Sequence, residues 1–428
     1  MGYLLFIFYT AFFCWLITRF KFFKTCGIDN HILIILFLIR VIAGLANGYI
    51  NLYYYGISDV IEFHRQGIAE YNLLFNNPHE FFTNIFHTNY NNYSNFLESS
   101  GSFWNDLRTN IIAKIISIFD IFSAQNFFIN SLFFNFLIFF GAIYFYKVFI
   151  KIFPEHRFII ISCIFLLPSL LYFTSGIHRD GFIFLSLSIV IYNIQIMMER
   201  KTFLWKSIFS IIIFLCLALL LRNFVFITLL PALIAWIIAE SFPKYAFLSF
   251  LGVYTIVIVL FFGSGMLYPG LNLPKHVSLK QIEFIEIAKR GASAININPL
   301  YANFRSFLNN APQALNHTLM RPYITEKFNF FYAFVAIEIF VYEIFLLLFF
   351  FFRNKTKLTP FIYFGFFFSI SMLLIIGYTI PIIGAIVRYR SIYLPFFLIP
   401  TICLTDWHQL KYFLHIKKSN MFNIFHNK

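Results

Sequence analysis

Long apolar runs, separated by short clusters of charged residues, dominate the chain from one end to the other. A helix that crosses a bilayer needs about 20 mainly apolar residues. Runs of this kind occur at eleven places, and the pattern predicts an all-α polytopic membrane protein that forms one integral membrane domain over 1–428. The predicted transmembrane helices lie near 2–18, 31–50, 126–147, 158–174, 181–198, 207–221, 224–240, 245–263, 329–352, 360–384 and 391–405.

The basic residues between these runs predict an orientation, because cytoplasmic loops of membrane proteins carry an excess of Lys and Arg. With eleven spans the flanking bases fall in alternate loops, all on one side. We therefore predict a multi-pass protein of the cytoplasmic membrane, with an outer N-terminus and a cytoplasmic C-terminus. The bases in question are Arg19, Lys21, Lys24, Lys147, Lys151, Arg157, Arg200, Lys201, Lys206, Lys244, Arg353, Lys355, Lys357, Lys411, Lys417 and Lys418.

Two long segments, about 51–125 and 264–328, fall on the predicted outer side. Parts of both segments show apolar residues at helical spacing. We expect these parts to form helices that lie along the outer membrane surface. The stretches with this spacing are 59–75, 105–119 and 279–290, whereas the Asn-rich stretch 89–95 is typical of a loop.

Composition supports a lipid environment and limits the partners. The chain is 60% hydrophobic and only 12% charged, whereas soluble domains average about 25% charged residues. A net charge of +14 would suggest nucleic acid in a soluble protein, but here topology explains the bases, so no nucleic-acid partner is predicted.

The five cysteines lack the spacing of a metal site. The first run lacks a basic leader and a cleavage site, which favours a retained helix, and the basic, aromatic tail at about 406–428 is predicted on the inner leaflet.

The first cluster of candidate functional residues follows the second predicted helix and contains Asp59, Glu62 and His64. Asp59 could act as a general base toward an acceptor hydroxyl, or it could hold a divalent cation near a phosphate. Glu62 would share a helix face with Asp59, and His64 could be a second proton-transfer group. An ordinary helix start, with Ser58 or Asp59 as the cap, explains the same residues.

The second cluster, Ser175 to Asp180, joins two apolar runs through a very short loop. His178, Arg179 and Asp180 are costly at a membrane boundary unless they are paired or used. Arg179 could clamp a phosphate with its planar fork of donors. A well-capped helical hairpin is the alternative.

Arg222 interrupts another apolar stretch, where it is either a topological marker or a second phosphate or sugar contact.

A further cluster, Arg388, Tyr389 and Arg390, lies at the predicted outer end of the last helix. Two arginines on that side oppose the usual distribution of bases, so topology does not explain them. An anionic partner would explain them, either a lipid head group or the pyrophosphate of a substrate.

Three motifs together resemble the multi-spanning, lipid-phosphate-sugar-dependent glycosyltransferases of the GT-C class. In that class an acidic residue lies early in the first long outer loop, and Asp59 occupies that place here. The stretch Val387-Arg388-Tyr389-Arg390-Ser391-Ile392-Tyr393-Leu394-Pro395 is similar to the R-Y-x-x-P-like element of the class. The turn Ser175 to Asp180 is similar to the S-G-x-x-K-[DE] turn of bacterial membrane proteins from surface-polysaccharide loci, with Arg179 where a Lys is commoner.

This resemblance implies an enzyme that takes a sugar from a polyprenyl-phosphate-linked donor and passes it to a glycan or lipid acceptor on the outer face. Asp59, with Glu62 and His64, would serve the acceptor hydroxyl or bind a divalent cation. The donor phosphate would be held by Arg179, Arg222, Arg388 and Arg390, with His178, Asp180 and Tyr389 in the same site.

Two other functions remain open. A polysaccharide-repeat polymerase also joins lipid-linked sugars on the outer face, and its product would be a ladder rather than one added sugar. A transporter or flippase of lipid-linked sugars would place its charges along a cavity at mid-membrane. Arg40, Glu338 and Glu343 lie within predicted spans, and Arg40 is expected to form a structural ion pair inside the bundle.

Overall fold

The computed structural model describes residues 2–56, 58–88, 102–289, 293–326, 330–354 and 358–413. The predicted loop at 89–95 and most of the predicted tail lie outside these residues. Within them the chain folds into α-helices joined by short π-helical, 3-10 and extended connections. The helices are α1 (Gly2–Arg19), α2 (Lys21–Lys24), α3 (Asn30–Tyr49), α4 (Asp59–Asn76), α5 (Pro78–Thr83), α6 (Phe103–Ser123), α7 (Phe127–Ile152), α8 (Arg157–Ile161), α9 (Pro168–Thr174), α10 (Arg179–Arg200), α11 (Trp205–Leu221), α12 (Asn223–Ser241), α13 (Ala246–Leu267), α14 (Leu273–Ala288), α15 (Phe304–Leu319), α16 (Phe330–Phe351), α17 (Pro360–Thr379), α18 (Ile383–Arg390) and α19 (Leu394–Cys403).

The predicted all-α polytopic membrane fold is confirmed, with a correction to the number of spans. Among the described residues, eight helices are long and apolar enough to cross a membrane, namely α1, α3 with its π-helical extension, α7, α10, α12, α13, α16 and α17. The predicted span 158–174 is instead a bent pair, with a bend of 46° before α9, and the predicted span 391–405 corresponds to α19, which forms a second pair with α18 at a bend of 61°. These two pairs raise the count to ten at most. The eleventh predicted span is α11, an apolar helix of 17 residues.

The predicted helix 360–384 is also shorter than expected, because it ends at Thr379. Ile380 is extended, as the ring of Pro381 favours for the residue before it. The chain then turns and starts α18, so Arg388 and Arg390 lie in the last turn of a separate helix. This break places the Arg-Tyr-Arg motif beside the first residues of α10.

Buried polar side chains satisfy the backbone where spans are broken, as a hydrocarbon environment requires. Glu338 of α16 accepts hydrogen bonds from the amide (3.1 Å) and the hydroxyl (2.7 Å) of Ser169, in the first turn of α9. Arg40 of α3 donates to the carbonyl and to the hydroxyl of Thr174, at the other end of α9. The expected ion pair of Arg40 is therefore wrong, since its observed partners are neutral oxygens that anchor the broken span.

Helices of the two long segments both contact α18, α4 through the pair of Asp59 with Arg388 and α15 by direct packing. We call this face of the helix bundle the segment side. The predicted helices 59–75 and 105–119 correspond to α4 and α6, which pack tightly because Gly67 leaves no room for a Cβ against Ile116. The predicted stretch 279–290 falls mainly in α14, and α14 and α15 pack on α17. An antiparallel bridge between Ala294 and Ile382 ties this second segment to the start of α18.

Candidate functional site

Four helix ends meet on the segment side and bring together charged residues that are far apart in the sequence. Asp59 is the first residue of α4, and Arg179 and Asp180 begin α10. Both carboxylates lie where the exposed amides of a helix N-terminus favour negative charge. Arg222 occupies the extended break between α11 and α12, and Arg388 lies in the last turn of α18. The structure therefore brings the Asp59, Arg179–Asp180, Arg222 and Arg388 motifs together in one group, which we call the charged cluster.

Asp180 is the buried centre of this arrangement, with none of its surface exposed. One of its carboxylate oxygens lies 2.7 Å from Arg222 Nη2, and the other accepts a 2.5 Å hydrogen bond from Arg388 Nε. The guanidinium of Arg222 also lies 3.7 Å from the centre of the Tyr389 ring. Two short ion pairs and a cation–π contact hold both arginines in fixed positions.

Asp59 is bound more loosely at the surface of the same cluster. Its carboxylate lies 3.4 Å from Arg179 Nη2 and 3.6 Å from Arg388 Nη1, and 55% of its side chain is exposed. Partial burial acts to raise the pKa of Asp59, but the positive charges of Arg388 and Arg179 outweigh it and hold that pKa below its ordinary value. Asp59 is therefore ionised at neutral pH and shares Arg388 with Asp180.

Arg108 is a member of the cluster that the sequence did not single out. It lies on α6, is only 8% exposed, and donates from Nε to the carbonyl of Leu220 at 3.1 Å. Burial and the nearby charges of Arg179 and Arg222 lower the pKa of Arg108 to about 10. A signal was present, since Arg108 precedes the buried Ile112 by one helical turn and so interrupts the apolar face of α6.

His178 lies beside the cluster as a neutral residue. Burial, reinforced by the charge of Arg388, lowers the pKa of His178 to about 3. Its Nε2 lies 3.0 Å from the side-chain oxygen of Asn47. A neutral ring that is protonated at Nε2 donates a hydrogen bond to this oxygen. His178 therefore adds no charge to the cluster at neutral pH.

Three predicted site residues are placed outside the charged cluster. Glu62 forms a surface ion pair of 2.7 Å with Arg65. The ring of His64 packs edge-on against Phe127, and burial lowers the pKa of His64 to about 4. Arg390 donates to the backbone carbonyls of the 318–321 region, which fixes α18 against the end of α15. The helix-start interpretation of Asp59 agrees with the position of the residue but does not account for its two arginine neighbours.

Two cavities meet at the contact between Asp59 and Arg388. The first, which we call the polar cavity, has a volume of about 460 Å³ between α4 and α6. The second, the apolar cavity, has a volume of about 840 Å³ and runs along α3, α9, α16 and α18. Residues lining the polar cavity include Asp59, Glu62, Glu70, Asp106, Asn110 and Arg179. Those lining the apolar cavity include Tyr54, Tyr55, Tyr172, Phe173, Val335 and Arg388.

The residues around Asp59 do not fit a divalent cation. Its nearest charged neighbours are the guanidiniums of Arg179 and Arg388, which repel a cation. Hard cations take several oxygen ligands at once, and no group of three or more metal-binding side chains occurs in the described ranges.

No protein-family model, curated protein or solved structure matches this chain. The resemblance to the GT-C class therefore rests on the sequence motifs alone.

Proposed function

We propose that this protein is a membrane glycosyltransferase that moves a sugar from a polyprenyl-phosphate-linked donor to an acceptor hydroxyl, on the outer face of the cytoplasmic membrane. One observation carries the proposal. Asp59 lies between Arg179 and Arg388 at the boundary between a polar cavity and an apolar cavity. A base, a phosphate clamp and two chemically different compartments are the parts that such a transfer needs.

The apolar cavity suits the lipid end of the donor. Its walls come from membrane-spanning helices and are rich in aromatic side chains, such as Tyr172 and Phe173. Arg388 lines the same cavity. Asp59 contacts both Arg388 and Arg179, so the two arginines lie on either side of its carboxylate. A polyprenyl chain could occupy the aromatic part while its phosphate accepts hydrogen bonds from the guanidinium of Arg388.

The polar cavity suits the acceptor. Carboxylates and side-chain amides, such as those of Asp106 and Asn110, line it and are natural partners for sugar hydroxyls. Asp59 and Arg179 form the wall nearest to the apolar cavity. An acceptor held there would present a hydroxyl to Asp59 on one side of the donor sugar, opposite the departing phosphate.

The ion pairs suggest how Asp59 becomes a base. With its pKa held down by two guanidiniums, Asp59 is a weak proton acceptor in the free protein. A donor phosphate competes for Arg179 and Arg388, and loss of these partners raises the proton affinity of Asp59. The loose contacts of Asp59, at 3.4 and 3.6 Å, favour this exchange over displacement of the 2.5 Å contact between Asp180 and Arg388.

The proposed transfer is a single displacement. The acceptor oxygen gives its proton to the carboxylate of Asp59 and forms a bond to the anomeric carbon of the donor sugar. The bond between that carbon and the phosphate oxygen breaks, and the phosphate keeps the electron pair. Arg179, Arg388 and Arg222 stabilise the added negative charge where it develops, which is the most effective use of preorganised charge in an active site.

The test uses purified protein in vesicles that contain the total lipid extract of the source membrane. Mass spectrometry should show loss of one lipid-linked sugar and gain of the same sugar mass on another component. Asp59→Asn should abolish both changes, whereas Asp29→Asn, a surface control beside Arg157, should not. A ladder of products would identify a polymerase instead. Flipping of an unchanged lipid would contradict the proposal.

A further inference from the structure

The charged cluster carries more positive than negative charge. It contains four guanidiniums, those of Arg108, Arg179, Arg222 and Arg388, and two carboxylates, those of Asp59 and Asp180. In the part of the chain that the structure describes, no further carboxylate forms an ion pair with these arginines. The formal charge of these six side chains is therefore two positive units, and the neutral His178 does not change it.

Arg222 is paired with Asp180, whereas Arg108 forms no ion pair with a carboxylate among the described residues. Both arginines are only 8% exposed. Arg108 Nη2 and Arg222 Nη1 are buried nitrogens without a hydrogen-bond partner among the described residues. An unpaired buried charge costs several kcal/mol, so an arrangement of this kind is typical of a site completed by an anionic ligand.

We propose that the donor is linked through a diphosphate rather than a single phosphate, and that Arg108 supplies charge for the second phosphate group. This inference rests on the proposed transferase function. A sugar joined to a lipid by one phosphate carries one negative charge, whereas a diphosphate linkage carries two and balances the cluster. In the transfer step the carbon–oxygen bond at the sugar breaks, and the electron pair remains on the lipid diphosphate.

The position of Arg108 suits such a supporting role. Arg179 lines the polar cavity and Arg388 lines the apolar cavity, whereas Arg108 and Arg222 line neither and are buried beside them. The bond from Arg108 to the carbonyl of Leu220 also fixes the end of α11, next to Arg222. A purely structural Arg108 would need only this hydrogen bond, whereas a role toward a phosphate group needs its positive charge.

The experiment measures binding of inorganic pyrophosphate and of inorganic phosphate to the full-length protein in detergent, at equal ionic strength and without divalent cations. Wild type should bind pyrophosphate at least about tenfold more tightly, since a second charge-assisted contact is worth roughly 1.5–3 kcal/mol. Equal affinities for the two anions in wild type would overturn the diphosphate assignment without any variant.

Two substitutions separate charge from structure. Arg108→Gln retains a hydrogen-bond donor and should lower pyrophosphate affinity by about 10–100-fold, with a smaller effect on phosphate. Arg108→Lys retains the charge and should recover most of the loss, and Arg157→Gln, far from the cluster, should have no effect. Equal losses in the Gln and Lys variants would show that Arg108 is only structural. Because binding is measured without transfer, this result is independent of the lipid assay.

Discussion

The cluster has a buried half and an exposed half that use the same side chains differently. In the buried half, Asp180 has no exposed surface and contacts Arg222 and Arg388 at 2.7 and 2.5 Å. In the exposed half, Asp59 contacts Arg179 and Arg388 at 3.4 and 3.6 Å. Short, dry ion pairs fix geometry, whereas longer and wetter pairs are easily exchanged. The difference indicates that Asp180 positions the arginines and that Asp59 is the carboxylate available for chemistry.

The largest effect is expected in the buried half. Asp180→Ala leaves the buried Arg222 without a carboxylate partner and leaves Arg388 with only the looser contact to Asp59, and should destabilise the protein by about 3–5 kcal/mol. Equilibrium unfolding in detergent should show this loss, with Asp29→Ala as a surface control. An Asp180→Ala protein as stable as wild type would mean that the buried half is not the structural half.

The exposed half should respond in the opposite way. Asp59→Asn should reduce sugar transfer by about 10²–10⁴-fold, which is the usual contribution of a general base. Its unfolding free energy should change little, because Asp59 is half exposed and loosely paired. The measurement is the transfer rate and the unfolding curve of the same sample. Retained transfer, or a loss of stability like that of Asp180→Ala, would break the contrast.

A smaller effect on stability is expected from low pH, because His178, which lies beside the charged cluster, is buried in its neutral form. Unfolded, His178 would take up a proton near pH 6.5, whereas in the folded state its pKa is about 3. Stability present at neutral pH is therefore lost as the pH falls below 6.5, by about 2 kcal/mol at pH 5. His178→Gln should flatten the stability profile between pH 7 and pH 5. An unchanged slope in this variant would mean that His178 is not buried in its neutral form.

The smallest effects should come from the cavity walls, and they should separate donor from acceptor. Asp106→Asn in the polar cavity should raise the KM for acceptor by about tenfold and leave the KM for donor unchanged. Tyr172→Ala in the apolar cavity should do the reverse. Steady-state kinetics with each substrate varied in turn would measure both. Parallel changes in the two KM values would contradict the assignment of one substrate to each cavity.

The sequence predicted the helices well because a long apolar run directly indicates a segment that lies in lipid. It also singled out Asp59, Arg179, Arg222 and Arg388, which all lie at the ends of such runs, where charge needs an explanation. Local patterns do not report which helix ends meet, and the pairing of Asp59 with Arg388 depends on contacts between residues more than three hundred positions apart. For the same reason, the pattern could not show that Asp180 is internal.

The residues that were missed or misplaced follow the same logic. Arg108 lies inside a surface helix whose partner, the end of α11, is distant in sequence. His64 and Glu62 share a helix with Asp59, but α4 turns His64 toward Phe127 and leaves Glu62 paired with Arg65. Arg390 is only two residues from Arg388, and on a helix two residues apart do not share a face.

The central claim is that a donor phosphate takes over the arginines that hold Asp59. The most direct test is the affinity of inorganic phosphate for wild type and for Asp59→Asn at neutral pH, with Asp29→Asn as the matched control. If Asp59 and phosphate compete for Arg388 and Arg179, the uncharged variant should bind phosphate about tenfold more tightly, consistent with loss of one competing charge-assisted contact. Unchanged or weaker phosphate binding in Asp59→Asn would contradict this account.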